Sequence, residues 1–169
     1  MMESLATITR VISQHHEIRV HVRLVGDSIS DEEAVCTLRA ASADWIPGRQ
    51  GAVVDRQQKL QQTLCYVQEG LKNHFAVEES ILPLFMDETL LRALLLDHRR
   101  IADELASARS TVAAMQLEGL DREGLLIKEA HIRQLVDHLC HLIEDHTTKE
   151  DIVLDMMGKA VQDTQAGGG

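Results

Sequence analysis

The sequence predicts an all-α fold, an up-down-up-down four-helix bundle, and three observations support this prediction. Hydrophobic residues make up 44% of the 169-residue chain, whereas aromatic residues make up only 2% and there are only two prolines. Valine and isoleucine, which favour strands elsewhere, occur here mostly at helical spacing. Short connections separate the later long helical patterns, so those neighbours are expected to be antiparallel.

The first half of the chain contains one long helical pattern and one short one. The long helix is expected over about 5–25, where isoleucines and valines recur on one face. Ser30 followed by Glu33 resembles a capping box, which predicts a short extra helix over about 31–43. The segment 45–48, Trp-Ile-Pro-Gly, is interpreted as a turn with a hydrophobic plug.

Three further long helices follow. The second is predicted from near Val53, and Pro83 is expected to kink or end it soon after Leu82. Asp87 and Asp121 are candidate N-caps of the third and fourth helices. The bundle is expected to occupy residues 1–160 as one domain, with a flexible tail over 161–169.

Composition excludes several classes of function. The net charge of −10 argues against binding to nucleic acid or to an anionic membrane surface. The longest apolar stretches are far too short to span a bilayer, and the start of the chain lacks the pattern of a secretory signal. The cysteines are few and widely spaced, which is typical of buried reduced thiols in a cytoplasmic protein: Cys36, Cys65 and Cys140.

Two pairs of residues have the spacing of metal ligands on a helix. His74 and Glu78 lie four residues apart, as do His146 and Glu150, so each pair offers an imidazole and a carboxylate on one helical face. This combination suits iron, for which carboxylates can bridge two ions. The chain repeats itself, because a helix with a lone histidine, His15 and later His98, precedes each pair.

The four histidines share features that isolated histidines lack. Each lies on the apolar face of its helix, and counting from the predicted helix ends places all four in one layer about 5 Å thick. Desolvating four imidazoles and two carboxylates together without a metal would cost several kcal/mol. The sequence therefore predicts a metal site formed by His15, His74, Glu78, His98, His146 and Glu150.

For two of the predicted ligands, another residue nearby is a possible alternative. His16 could replace His15, but its neighbours at helical spacing are more polar. Asp151 could replace Glu150, but it lies about 140° around the helix from His146, compared with about 40° for Glu150. A ferritin-like centre is not favoured, because no histidine has a glutamate three residues before it.

The segments HHEI, HFAVEE, DHRRIADEL and HTTKE resemble the hemerythrin-like family, or HHE cation-binding domain, from about Thr7 to Met157. The resemblance implies a four-helix bundle with two non-haem iron ions that share an oxo or hydroxo bridge. Family members bind dioxygen, sense oxygen or iron, or react with nitric oxide or peroxide. Oxygen carriers of the family have a histidine where this chain has Ala102, a difference that favours sensing or small-oxidant chemistry over oxygen transport.

The resemblance leads to two functional hypotheses. The first is a cytoplasmic di-iron protein that binds or senses dioxygen, redox state or iron. The second is an enzyme acting on peroxide or nitric oxide, or an iron donor for iron–sulfur cluster repair. In either case the expected partner is a small molecule (O2, NO or H2O2), and neither a protein partner nor the oligomeric state follows from the sequence.

Overall fold

The structure is a computed structural model that describes residues 28–48, 51–84 and 86–167. All regular structure in these ranges is helical, which confirms the predicted all-α class for this part of the chain. The elements are α1 (Asp31–Ala43), α2 (Val53–Ile81), a 3-10 turn (Leu82–Leu84), α3 (Glu88–Ala114) and α4 (Arg122–Ala166). The long helix predicted over 5–25, with His15 and His16, lies outside the described residues.

Side-chain caps fix where three of the helices begin. Ser30, Asp87 and Asp121 each accept a hydrogen bond from the backbone N–H three residues later, at 3.1, 2.8 and 2.7 Å. Each bond satisfies an N–H group that has no partner within the helix. The 3-10 turn that contains Pro83 follows α2, as the sequence predicts. Helix α4 continues to Ala166, into the segment expected to be a flexible tail.

The helices pack around a shared core. Helix α1 contacts α2 and α4, α2 contacts α3, and α3 contacts α4, so each described helix has two neighbours. The short helix α1, expected as an addition to the bundle, therefore takes a full place in the packing. All four helices contribute large, fully buried apolar side chains: Leu38, Leu60, Leu64, Leu71, Leu105, Ile132, Leu139 and Ile143.

Trp45 fixes the chain that follows α1. Its side chain is fully buried, and the guanidinium carbon of Arg56 lies 4.8 Å from the ring centroid. Arg133 of α4 donates a hydrogen bond to the Trp45 carbonyl at 2.7 Å, and Arg56 pairs with the buried Glu129 of α4 at 3.2 Å. Trp45 is thus the predicted plug, whereas Ile46 is half exposed.

A close backbone approach fixes the chain that precedes α1. The Ile29 N–H donates to the Gly70 carbonyl of α2 at 3.3 Å. A Cβ atom at Gly70 would lie 2.6 Å from Cγ1 of the buried Ile29. Only glycine therefore lets the start of α1 lie this close to α2, one helical turn before His74.

Gly70→Ala should destabilise the protein even though alanine favours helix. The helix propensity of alanine contributes about 1 kcal/mol, but overpacking against Ile29 costs about 1–3 kcal/mol. We expect a net loss of about 1 kcal/mol in the free energy of unfolding, measured by urea denaturation. In an Ile29→Ala background the same substitution should instead be stabilising, and an equal loss in both backgrounds would contradict the proposed clash.

The cysteines depart in part from the sequence prediction. All three are free thiols, but only Cys140 is buried, whereas Cys65 is half-buried and Cys36 is exposed. Burial raises the pKa of the Cys140 thiol to about 11. None of the described helices has both the length and the apolarity needed to cross a membrane.

Candidate metal centre

Five of the six predicted ligands are buried in the middle of the described bundle. Helix α2 contributes His74 and Glu78, α3 contributes His98, and α4 contributes His146 and Glu150. The two His–Glu pairs face inward because each pair, four residues apart, lies on one side of its helix. Together these side chains form a polar cluster next to the apolar core.

Four of these residues converge from three helices. Glu78, His98, His146 and Glu150 each place a ligand atom within 4.8 Å of the others. Nε2 of His98 lies 3.2 Å from Oε2 of Glu78, and Nε2 of His146 lies 3.1 Å from Oε2 of Glu150. Two ligands at right angles, each bonded at about 2.1 Å, are separated by about 3.0 Å. These separations therefore fit neighbouring ligands of one metal ion.

The hydrogen bonding of His98 and His146 has the pattern of metal-binding imidazoles. In the part of the chain that the structure describes, neither Nε2 atom has a hydrogen-bond partner, although both are buried. The outer nitrogens do have partners: Nδ1 of His98 lies 3.2 Å from Glu79, and Nδ1 of His146 lies 3.3 Å from Asp97. Metal-bound histidines typically bond a carboxylate through the nitrogen that faces away from the ion.

A second group of ligand atoms lies beside the first and shares Glu78 with it. This group consists of Asp31, His74 and Glu78, all buried. Nε2 of His74 lies 2.6 Å from Oε1 of Glu78 and 3.8 Å from Oδ1 of Asp31. Glu78 thus turns Oε1 toward His74 and Oε2 toward His98, which is the arrangement of a carboxylate that bridges two metal ions.

Asp31, at the start of α1, belongs to this group, although the sequence motifs do not indicate it as a ligand. An acidic residue in the first turn of a helix is usually explained by the helix dipole. A signal was nevertheless present, because Asp31 lies at helical spacing from the buried Ala34, Leu38 and Ala41. A carboxylate on the buried face of an amphipathic helix needs a specific partner inside the protein.

The clustered charges shift the protonation of the site. Burial lowers the pKa of His146, but the nearby carboxylates, Glu150 foremost, outweigh it and raise the pKa to about 9. Burial also opposes protonation of His74, yet Glu78 and Asp31 raise its pKa overall. The pKa of Asp31 is raised by burial, against the opposing effect of His74. The cluster therefore favours positive charge at its centre, which a metal cation can supply.

Burial distinguishes the two candidate carboxylate ligands on α4. Glu150 is buried within the cluster, whereas Asp151 is only half-buried. His131, His138 and His141 are exposed, as expected for histidines off the inward face. His15 lies outside the described residues, so its place relative to the cluster is not part of this geometry.

Comparison of the chain with protein-family models, with curated proteins and with solved structures gives no match. The interpretation of the cluster therefore depends on its own geometry and on the sequence motifs that form it.

Proposed function

We propose that this chain is a hemerythrin-like protein, an up-down-up-down bundle that holds two non-haem iron ions and binds or senses dioxygen, redox state or iron. The main support for this proposal is the orientation of the Glu78 carboxylate, whose two oxygens face different groups of ligand atoms. Glu150, His146 and His98 complete the first group, and His74 belongs to the second. His15, predicted from the sequence, would add a ligand from the first long helix.

The donor set supports iron over zinc. Structural zinc sites are mostly tetrahedral and rich in cysteine, whereas imidazole combined with carboxylate suits iron at higher coordination number. The described cluster contains three imidazoles and three carboxylates, and Cys140, the buried thiol, is not among the grouped ligands. Buried carboxylates that share a site also need nearby cations, and two divalent ions would meet that need.

A cleft beside the cluster supports a small-molecule ligand. It lies between α2 and α3, has a volume of about 510 Å³, and His98, Phe75 and Ala102 are among its lining residues. The Phe75 ring stacks on the His98 imidazole, with centroids 4.0 Å apart. Ala102 leaves space where oxygen carriers of the family have a histidine. Bound iron would supply redox chemistry toward dioxygen, nitric oxide or peroxide, and the cleft is a route by which such a molecule reaches the His98 side of the site.

The same cleft is also consistent with the second candidate function, in which the protein is an enzyme. A protein that only binds or senses its ligand should bind dioxygen without consuming it. An enzyme acting on peroxide or nitric oxide should instead turn over added substrate, and an iron donor should lose iron to an acceptor protein. These behaviours separate the candidates once metal binding is established.

Anaerobic reconstitution tests the proposed function. The chain should take up about two Fe(II) ions, counted by elemental analysis, and visible absorbance should appear on exposure to air. His146→Ala removes a ligand of the first group and should lower iron affinity by on the order of 100-fold or more. His131→Ala, on the exposed side of the same helix, is the matched control and should retain full iron. Absence of iron in the wild-type chain, or full iron in His146→Ala, would overturn the proposal.

A further inference from the structure

We propose that Asp31 of α1 is a metal ligand, and that it defines a second metal position together with His74 and Glu78. This inference rests on the proposed function and extends it to a residue outside the ligand set that the sequence motifs indicate. The position would take a divalent cation such as Fe(II), which accepts mixed imidazole and carboxylate ligands.

The burial of Asp31 is the first observation. The residue is 7% exposed, yet Oδ1 has no hydrogen-bond partner among the described residues. An unpaired charged oxygen inside a protein costs several kcal/mol unless a cation or a donor satisfies it. Oδ1 faces Nε2 of His74 at 3.8 Å, too long for a hydrogen bond. A metal ion held between Asp31 and His74 would satisfy Oδ1 of Asp31.

The second observation is that the other oxygen of Asp31 is held in place. Oδ2 accepts a hydrogen bond at 2.9 Å from Oγ1 of Thr147, the residue that follows His146 on α4. The bond orients the carboxylate so that Oδ1 is directed to the cluster, as partners of metal-binding carboxylates commonly do. The contact between Ile29 and Gly70 holds the start of α1 against α2. Asp31 is thus fixed from two sides.

The two metal positions are therefore unequal. Among the described residues, the first has four grouped ligands, two imidazoles and two carboxylates, whereas the second has one imidazole and two carboxylates. Because the second depends on Asp31 of the short helix α1, we expect it to bind its ion more weakly. Metal loading should then occur in two separable steps, and the second step should stabilise the packing of α1.

Asp31→Asn tests the inference directly, because the carboxamide keeps the shape of the side chain and loses its charge. The full chain is titrated anaerobically with Fe(II), and bound iron is counted after desalting. The wild type should retain two ions and Asp31→Asn one, with the affinity for the second ion reduced by about 100-fold. Asp44→Asn, at the other end of α1, is the matched control and should retain two.

Loss of iron by misfolding is separated from loss of a ligand by two further measurements. Circular dichroism in the presence of a chelator should show that Asp31→Asn is as helical and as stable as the wild type. Asp31→Glu keeps a carboxylate and should retain more of the second ion than Asp31→Asn does. Two ions in Asp31→Asn, or equal loss in both variants, would overturn the assignment of Asp31 while leaving the first metal position intact. A wild-type chain that binds no iron would instead remove the proposed function itself.

Discussion

Glu78→Gln is expected to weaken the binding of both proposed metal ions. Glu78 is 2% exposed and is the one residue shared by the two groups of ligand atoms. The amide group keeps one weak oxygen ligand but lacks the negative charge that both ions would share. We expect the affinity for each ion to fall on the order of 100-fold or more, a larger effect than that of any ligand belonging to one group.

Iron counted after anaerobic loading measures this effect. Glu69→Gln is the matched control, because Glu69 is an exposed glutamate on the same helix and should have no influence. His74→Ala provides a comparison, since it removes a ligand of the second group alone and should leave one ion bound. If Glu78→Gln lost no more iron than His74→Ala, Glu78 would not bridge the two positions.

Trp45→Ala should lower the free energy of unfolding by more than Gly70→Ala does. The Trp45 side chain is 1% exposed, and truncation of a buried aromatic residue costs about 3–5 kcal/mol. The substitution also removes the ring beneath the guanidinium group of Arg56. The chain that follows α1 would then lose the packing of the ring against Arg56 of α2, while the hydrogen bond from Arg133 of α4 to the backbone carbonyl would remain.

Urea denaturation in the presence of a chelator measures the free energy of unfolding without a contribution from bound metal. Ile46→Ala, at the adjacent half-exposed residue, should change stability by less than about 0.5 kcal/mol. Similar values for the two variants would show that Trp45 is not a core residue.

The features that sequence predicted well are those encoded by near neighbours along the chain. Capping oxygens and the helix-ending proline act over three or four residues, so Ser30, Asp87, Asp121 and Pro83 place their helix ends correctly. The inward direction of His74 and Glu78 follows from the same kind of rule, since four residues are about one helical turn.

The features that sequence did not predict depend on contacts between distant residues. Nothing near Asp31 in the sequence indicates that α1 contacts both α2 and α4, and so local patterns do not assign Asp31 to the ligand set. The pairing of His146 with Asp97 joins residues on different helices. Such contacts follow from how the helices pack around the core, which local patterns do not specify.

The burial of the cluster has a consequence for the rate at which a bound metal ion could leave. Its described ligands, from Asp31 near one end of the chain to Glu150 near the other, are at most 7% exposed. The second group, Asp31, His74 and Glu78, does not line the cleft beside His98. A chelator could therefore reach an ion bound there only after helices separate, so release would follow the opening rate of the bundle and not the chelator concentration. Iron at this second position would therefore exchange slowly with the surroundings, at a rate limited by transient opening of the helices.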